Sequence, residues 1–320
     1  MPAPLQIPIN PLGAAGQRVP RVALGCGNFG GVGSAPAFFG QGLSHSEALE
    51  LMDAAWEMGI RHFDTADAYG GGRSEEAIGA WIRSRRTRPT LTTKTFNRMT
   101  ADGDQGMAPD RVRRQFASSL ERLGVDRVDL YLAHEFDHSV PLSHTISAFE
   151  ELREAGQVVA YGVSNFDVAQ LQQALDIGGT SAVQNGYSLL ERGDEAEVMP
   201  LCARTGTGYM VFSPLCGGWL TGKYRRGAAY PFGSRMTQRP EPYERLATDE
   251  TFDRLEWLER LSTDRGTSMA GTALAWLLAD ERIAQVVVGP GRPEHLEPIR
   301  EAIERPLTPD ERRQITETFS

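Results

Sequence analysis

The chain has 320 residues, 40% of them hydrophobic and 23% charged, an ordinary composition for a globular protein with a large buried core. Its formal net charge of −9 at pH 7 argues against a general affinity for nucleic acid, because an acidic surface repels phosphates. No segment approaches the ~20 apolar residues that span a bilayer, and the N-terminus lacks the pattern of a secretion signal. We therefore expect a cytoplasmic protein that binds no membrane.

The cysteines and lysines are few. Cys26, Cys202 and Cys216 are widely spaced and form no C-x-x-C pair, so the sequence predicts neither a disulfide framework nor a metal site. Of 33 basic residues only Lys94 and Lys223 are lysine. Two lysines retained in a chain so rich in arginine indicate positions where a compact ammonium group is needed.

Short β-branched segments alternate with helix-length amphipathic segments along the chain, which is typical of repeated βα units. Strands are predicted at residues 22–27, 61–66, 90–96, 127–134, 158–165, 182–187, 209–215 and 283–289. Helices are predicted at 48–58, 74–85, 110–123, 144–155, 168–176, 195–205, 268–279 and 293–303. Ser44 with Glu47 forms a capping-box pattern before the first helix, and Pro109 precedes the third.

Eight parallel strands with eight crossovers can close into a barrel that has no sheet edge. The competing open, doubly wound sheet usually carries G-x-G-x-x-G after its first strand, and residues 25–30 match that spelling. Further glycines and Pro36 follow instead of a helix, so we interpret this segment as a barrel loop. The prediction is an α/β protein: one (β/α)8 TIM-barrel domain over residues 1–320, with a long loop, 216–243, after strand 7.

Polar side chains follow the ends of successive predicted strands. Asp64 ends the second strand, with Tyr69 just after it, Lys94 ends the third and His134 the fourth. Strand ends meet at one rim of a barrel, and a buried lysine needs a carboxylate such as Asp64 beside it. We expect that positive charge to lower the pKa of Tyr69, which makes the phenol an acid near neutral pH, while His134 hydrogen-bonds a substrate oxygen. A lone histidine or ion pair is more often structural, but four such residues together favour catalysis.

These residues and their surroundings resemble the aldo-keto reductase family. The matching segments are residues 63–70 (FDTADAYG), 93–94 (TK), 129–134 (DLYLAH), 162–166 (GVSNF), 183–185 (VQN), 213–215 (SPL) and 220–224 (LTGKY). The resemblance implies a catalytic tetrad of Asp64, Tyr69, Lys94 and His134. In it Tyr69 gives a proton to the carbonyl of a small aldehyde or ketone while hydride arrives from a nicotinamide. A monomer or a homo-oligomer is compatible with this reading.

The resemblance also implies a dinucleotide site. Ser164, Asn165 and Gln184 would hold the carboxamide, and Phe212 would stack on the ring where the family often has tyrosine. Residues 213–223 resemble the family's strap over the pyrophosphate, which gives Lys223 a phosphate to bind. The other cofactor contacts predicted on the same basis are Asn28, Phe29, Asp64, Ser213, Pro214, Leu215, Gly217, Gly289 and Gly291.

The adenosine end departs from the family. Related reductases read G-x-x-x-x-E-Q-L-x-x-N where residues 289–299 lie, and here His295 replaces the glutamine and Ile299 the asparagine. Arg292, near a predicted helix N-terminus, could bind a ribose 2′-phosphate, and His295 lies beside it. We therefore expect NADPH/NADP+, with NADH possible; an exposed loop arginine without a ligand is the alternative.

Loop aromatics predict an apolar, aromatic-lined substrate pocket. Its expected members, beside Tyr69 and His134, are Phe29, Phe38, Phe39, Phe136 and Trp219. These aromatics could instead pack beneath the long loop as a small core. Two other functions stay open: a lyase that forms a Schiff base at Lys94, and a cofactor-binding regulatory protein like the potassium-channel β subunits of the family.

Overall fold

The computed structural model describes residues 3–13 and 17–320, and eight of its strands form a closed, parallel barrel as predicted. In barrel order the strands are β3 (Val22–Gly25), β4 (His62–Asp64), β5 (Thr90–Thr95), β6 (Val128–Ala133), β7 (Val158–Ser164), β8 (Ala182–Gly186), β9 (Gly208–Phe212) and β10 (Ile283–Val288), which pairs with β3. Several predicted strands run a few residues too far, because the residues at the rim leave the hydrogen-bonded ladder and enter loops.

The predicted crossover helices are present. They are α1 (His45–Met58), α2 (Arg73–Arg85), α3 (Pro109–Leu123), α4 (Leu142–Glu154), α5 (Val168–Ile177), α6 (Val198–Thr205), α9 (Met269–Leu278) and α10 (Glu297–Glu304). The Ser44 hydroxyl accepts from the Glu47 N–H and the Glu47 carboxylate accepts from the Ser44 N–H, so α1 begins at the predicted capping box. Two predicted helices begin late, because short 3₁₀ turns, Gly193–Glu195 and Pro293–Leu296, precede α6 and α10. Among the described residues, none of the helices combines the length and apolar character needed to cross a bilayer.

An N-terminal hairpin and two helices of the outer layer were not predicted. An antiparallel hairpin, β1 (Ile9–Leu12) and β2 (Gln17–Pro20), precedes the barrel. Leu12 and Val19 are buried with Leu130, Leu132 and Met210 in one cluster, so the hairpin closes the N-terminal end of the barrel. Helices α8 (Asp249–Asp264) and α11 (Pro309–Thr318) complete the outer layer, and each begins at a threonine whose hydroxyl caps the first turn.

The first loop bears on the choice between barrel and open sheet. After β3 the chain forms an isolated bridge between Phe29 and Leu43 and one short 3₁₀ turn, Pro36–Phe38, before α1. No helix begins at the glycines of residues 25–30, so this segment is a barrel loop as interpreted.

The long loop after β9 is ordered and contains α7 (Arg235–Gln238) and two 3₁₀ turns, Cys216–Thr221 and Glu244–Leu246. Trp219, in the first of these turns, is fully buried, and its ring centroid lies 5.1 Å from that of Tyr224 and 5.7 Å from that of Phe252. The loop therefore has a small core of its own, which holds it against the rim.

Candidate active site

A buried ion pair lies at the rim where β4 and β5 end. The Lys94 Nζ is 2.5 Å from Asp64 Oδ1 and donates to the Thr65 carbonyl at 2.9 Å. Asp64 Oδ2 accepts from Gln184 Nε2 at 2.8 Å, so both carboxylate oxygens are held. Burial by itself would lower the pKa of Lys94, but the Asp64 carboxylate and then Tyr69 outweigh it and raise that pKa above its ordinary value. The ammonium group stays charged.

Tyr69 follows β4 and lies above this pair. The Lys94 Nζ is 5.3 Å from the centroid of its ring, and the rings of Tyr69 and His134 meet edge to face at 5.6 Å. Burial raises the pKa of Tyr69, Lys94 opposes that rise, and Asp64 adds to it, so the pKa lies above its ordinary value. The expectation of a lowered pKa was wrong, because the protein excludes water from the phenolate and the Asp64 charge offsets that of Lys94. Tyr69 keeps its proton across the neutral range.

His134 directly follows β6 and is neutral. Burial, and then the charge of Lys94, lowers the pKa of His134 to about 3. The side-chain amide nitrogen of Asn97 lies 3.4 Å from Nδ1 of the ring, and in a neutral imidazole a nitrogen that accepts leaves the other one protonated. With the amide nitrogen of Asn97 assigned as the donor, Nε2 carries the hydrogen and can donate it.

The residues expected to hold a carboxamide converge on the same cavity as Tyr69 and His134: Ser164, Asn165, Gln184 and Phe212 all line it. The Ser164 hydroxyl donates to the Gln184 carbonyl at 2.7 Å, which ties β7 to β8. Asn165 (φ 58°) and Ser213 (φ 55°) are in the left-handed region that favours glycine. Such strain persists where the surroundings impose it, and here it lies where two strands enter the cavity.

The strap after β9 brings cations together. Gly218 has a φ of +93°, which favours glycine, and a Cβ there would lie 2.2 Å from the Lys223 Nζ, so the absence of a side chain lets the lysine approach the strap closely. Burial, and then the charge of Arg235, lowers the pKa of Lys223. No carboxylate pairs with Arg235 anywhere in the part of the chain that the structure describes. Two neighbouring cations without a counter-ion fit a diphosphate, and Arg235 was not predicted because sequence does not distinguish it from the other loop arginines.

The loops after β3 and β10 meet at the predicted adenosine end. The Asn28 amide donates to the Pro290 carbonyl at 2.8 Å, while its Oδ1 is buried without a partner among the described residues. Arg292 is exposed, and its Nε donates to the ring Nε2 of His295 at 2.9 Å. Burial, followed by the charges of Arg292 and Lys223, lowers the pKa of His295, so the strap and this end share one electrostatic environment. Gly289 and Gly291 are exposed beside them.

The aromatic-lined pocket is a further correction. The cavity, of about 520 Å³, is lined beyond the predicted residues by residues 33–36 and by Asn97, Arg98, Gln105, Glu135 and Arg239. Phe29 and Trp219 are 0% exposed and cannot touch a ligand there. Phe136 packs on Phe166, 5.2 Å between ring centroids, and lies outside the lining. Aromatic side chains bury more apolar area when they pack together beneath the loops than when they line an open rim. Because these aromatics are packed away from the cavity, polar side chains line it.

Comparison with known proteins agrees with this geometry. The family model described as the aldo/keto reductase family matches residues 21–319. An uncharacterized oxidoreductase from Bacillus subtilis (strain 168) is 32% identical and covers 96% of this chain and 94% of its own. A probable voltage-gated potassium channel subunit beta from Oryza sativa subsp. japonica is 31% identical, over 87% and 85%.

Solved structures give the same result. A thermostable aldo-keto reductase, solved with the inhibitor epalrestat, superposes with a TM-score of 0.78 at 27% identity, over 98% of this chain and 100% of that one. The match over almost the whole length, together with the closed barrel, shows that the chain belongs to the aldo/keto reductase family, a family of oxidoreductases.

Proposed function

We propose that this protein reduces an aldehyde or ketone to an alcohol with NADPH, and that Tyr69 supplies the proton. The observation that carries the proposal is the single cavity shared by Tyr69, His134 and Gln184 above the buried Lys94–Asp64 pair. Each of these side chains lies at the carboxyl end of a barrel strand or just after it, where active sites of this fold are built.

The chain offers a place for each part of the cofactor. Ser164, Asn165 and Gln184 would hold the carboxamide, Phe212 offers a ring face, and Lys223 with Arg235 would hold the diphosphate. Bound in this way, the nicotinamide supplies the hydride. Tyr69 and His134, which line the same cavity and are not among the proposed cofactor contacts, would face the carbonyl oxygen of the substrate.

Proton transfer follows from the charges around Tyr69. The phenol is protonated at rest, and the Lys94 ammonium, held by Asp64, stabilises the phenolate that forms as the proton leaves. Lys94 moderates the resting pKa of Tyr69 without bringing it below the ordinary value, and it stabilises the charge that develops during transfer. The Nε2–H of His134 donates to the carbonyl oxygen and orients it.

A Schiff base at Lys94 is disfavoured by the same geometry. A nucleophilic lysine needs a lowered pKa and access to the substrate. Here the Lys94 side chain is 1% exposed, bonded to Asp64 and the Thr65 carbonyl, and its pKa is raised.

The test begins with fluorescence titration of NADPH and NADH, followed by a panel of carbonyl compounds at saturating cofactor. Tyr69→Phe is expected to lower kcat by about 10²- to 10⁴-fold while the Kd for NADPH stays nearly unchanged. Full activity in Tyr69→Phe would overturn the role of that residue. Tight NADPH binding without oxidation over the whole panel would favour a regulatory protein, and borohydride trapping of substrate on Lys94 without cofactor would favour the lyase.

A further inference from the structure

Glu135 is a carboxyl group in the cavity that the proposed proton transfer does not use. It follows His134 at the end of β6, is half-buried, and lines the same cavity as Tyr69. Within residues 3–13 and 17–320, no group donates a hydrogen bond to its carboxylate or forms an ion pair with it. A partly desolvated carboxylate without a partner is unfavourable, so a ligand group is the natural partner for it.

The neighbouring wall of the cavity consists of donors. Asn97, Arg98 and Gln105 come from the loop after β5. Arg98 Nε donates to Gln105 Oε1 at 3.1 Å, and the Gln105 amide N–H groups have no acceptor among the described residues. Donors on one loop and the Glu135 acceptor beside them call for groups that both accept and donate hydrogen bonds. Hydroxyl groups do both, whereas a hydrocarbon chain would remove water from the Glu135 carboxylate and from the Gln105 amide N–H groups without offering either a partner.

The charged side chains of the cavity restrict the charge of the substrate. The other charged or titratable side chains of the cavity are Arg98, Arg239, Tyr69 and His134, of which the last two are neutral near pH 7. The two arginines oppose a cationic substrate, and ionised Glu135 opposes an anionic group next to the reacting carbon. A neutral hydroxyl is repelled by neither sign of charge, since it can donate to the Glu135 carboxylate and accept from an arginine.

We infer that the substrate is a short hydroxylated aldehyde or ketone, and that Glu135 accepts a hydrogen bond from a hydroxyl close to the reacting carbonyl. The inference rests on the proposed reductase function and adds a substrate class and a specificity-determining residue to it. Burial raises the pKa of Glu135 to about 7, so the ionised, stronger acceptor is lost as the pH falls below that value.

The experiment compares glyceraldehyde with propanal, which has the same number of carbons and no hydroxyl, at saturating NADPH. The wild type, Glu135→Leu and Glu135→Gln are compared, with concentrations corrected for hydration of the aldehydes. Because the hydroxyl next to the carbonyl activates it chemically in every variant, the quantity measured is the ratio of the two kcat/KM values. We expect this ratio to fall about 10- to 100-fold in Glu135→Leu and less in Glu135→Gln, with unchanged NADPH affinity.

An unchanged ratio in Glu135→Leu, with both aldehydes still reduced, overturns the inference and leaves the reductase function intact. If the wild type reduces neither these aldehydes nor any other carbonyl, both proposals fall. Should Glu135→Leu lose NADPH binding, the pH profile of Glu135→Gln decides. The wild-type ratio should drop between about pH 8 and pH 6 while that of Glu135→Gln stays level, and parallel profiles overturn the inference.

Discussion

Asp64 and Lys94 form an ion pair that is almost fully buried, and its geometry is asymmetric. Asp64 has a second partner in Gln184, whereas the other acceptor for the Lys94 ammonium is a backbone carbonyl. Removal of the carboxylate would therefore leave the cation with no counter-charge in the barrel. Removal of both charged groups would leave no uncompensated charge at this position.

Asp64→Asn is accordingly expected to lower the free energy of unfolding by about 3–5 kcal/mol, because it leaves an uncompensated buried charge. The double variant Asp64→Leu with Lys94→Met should lose much less, since neither charge remains. Equilibrium urea unfolding measures both values, and carbonyl reduction should be lost in both. Equal destabilisation by the single and the double change would contradict the argument.

Asp67 should make stability depend on pH. It is fully buried behind the tetrad, where its Oδ2 accepts from Thr95 Oγ1 at 2.6 Å and its Oδ1 has no partner among the described residues. Burial raises the pKa of Asp67 to about 7, against about 3.9 for an unfolded chain. Between these values the folded protein holds a proton that the unfolded chain has lost. The free energy of unfolding therefore falls as the pH rises through this window, by about 1.4 kcal/mol per pH unit from this group.

Asp67→Asn removes that titration and keeps a similar shape. Relative to the wild type, the variant should gain about 1.4 kcal/mol per pH unit between about pH 5 and pH 7. Urea unfolding at several pH values tests this, and taking the difference cancels the other titrating groups. A difference that does not vary with pH would show that Asp67 is ionised throughout.

The strand ends could be predicted from the sequence because a barrel places them at one rim whatever the loops do. Asp64 and Lys94 lie at or near the ends of β4 and β5, His134 directly follows β6, and the observed register brings the three to the same rim of the barrel. The hairpin β1–β2 could not be predicted in the same way, since its short strands carry little pattern and its stability comes from Leu12 and Val19 filling the barrel end.

Electrostatic and packing details needed three dimensions. The pKa of Tyr69 depends on burial and on two opposite charges, and the sequence does not show how far burial and Asp64 outweigh Lys94. Phe29 and Trp219 are aromatic residues in rim loops, as a pocket lining would be, but both are buried in the protein interior. Glu135 and Arg239 occupy loop positions whose spacing gives no sign that they reach the cavity.

Arg111 is expected to position the substrate side of the pocket. It is 3% exposed, and its guanidinium donates to Thr95 Oγ1 at 2.9 Å, to the Gly106 carbonyl at 3.0 Å and to the Asn97 carbonyl at 2.7 Å. These bonds hold both ends of the loop after β5, which carries Asn97, Arg98 and Gln105 into the cavity.

Arg111→Ala should raise the KM for a carbonyl substrate about tenfold or more, because the released loop loses its fixed contacts. The Kd for NADPH should change little, since the proposed cofactor residues lie on other strands. Arg113→Ala on the same helix is the matched control, because the Arg113 side chain pairs at the surface with Asp110 and Glu151. Loss of these exposed ion pairs should lower the free energy of unfolding by under about 1 kcal/mol. Equal effects on KM from the two changes would contradict the positioning role.

Cofactor preference should separate Arg292 from Arg235. Arg292 is exposed at the adenosine end and held by His295, so it is placed to meet a 2′-phosphate, which only NADPH carries. Arg235 lies beside Lys223 at the strap, where the proposed ligand is the diphosphate that both cofactors share. Arg292→Ala should therefore weaken NADPH about 10- to 100-fold and leave NADH nearly unchanged, while Arg235→Ala should weaken both alike.

Fluorescence titration of each variant with both cofactors gives the four ratios directly. Equal losses for NADPH and NADH in Arg292→Ala would show that this arginine does not contact the 2′-phosphate. Selectivity lost in Arg235→Ala would instead place the 2′-phosphate at the strap, because a residue that binds only the shared diphosphate cannot distinguish the two cofactors.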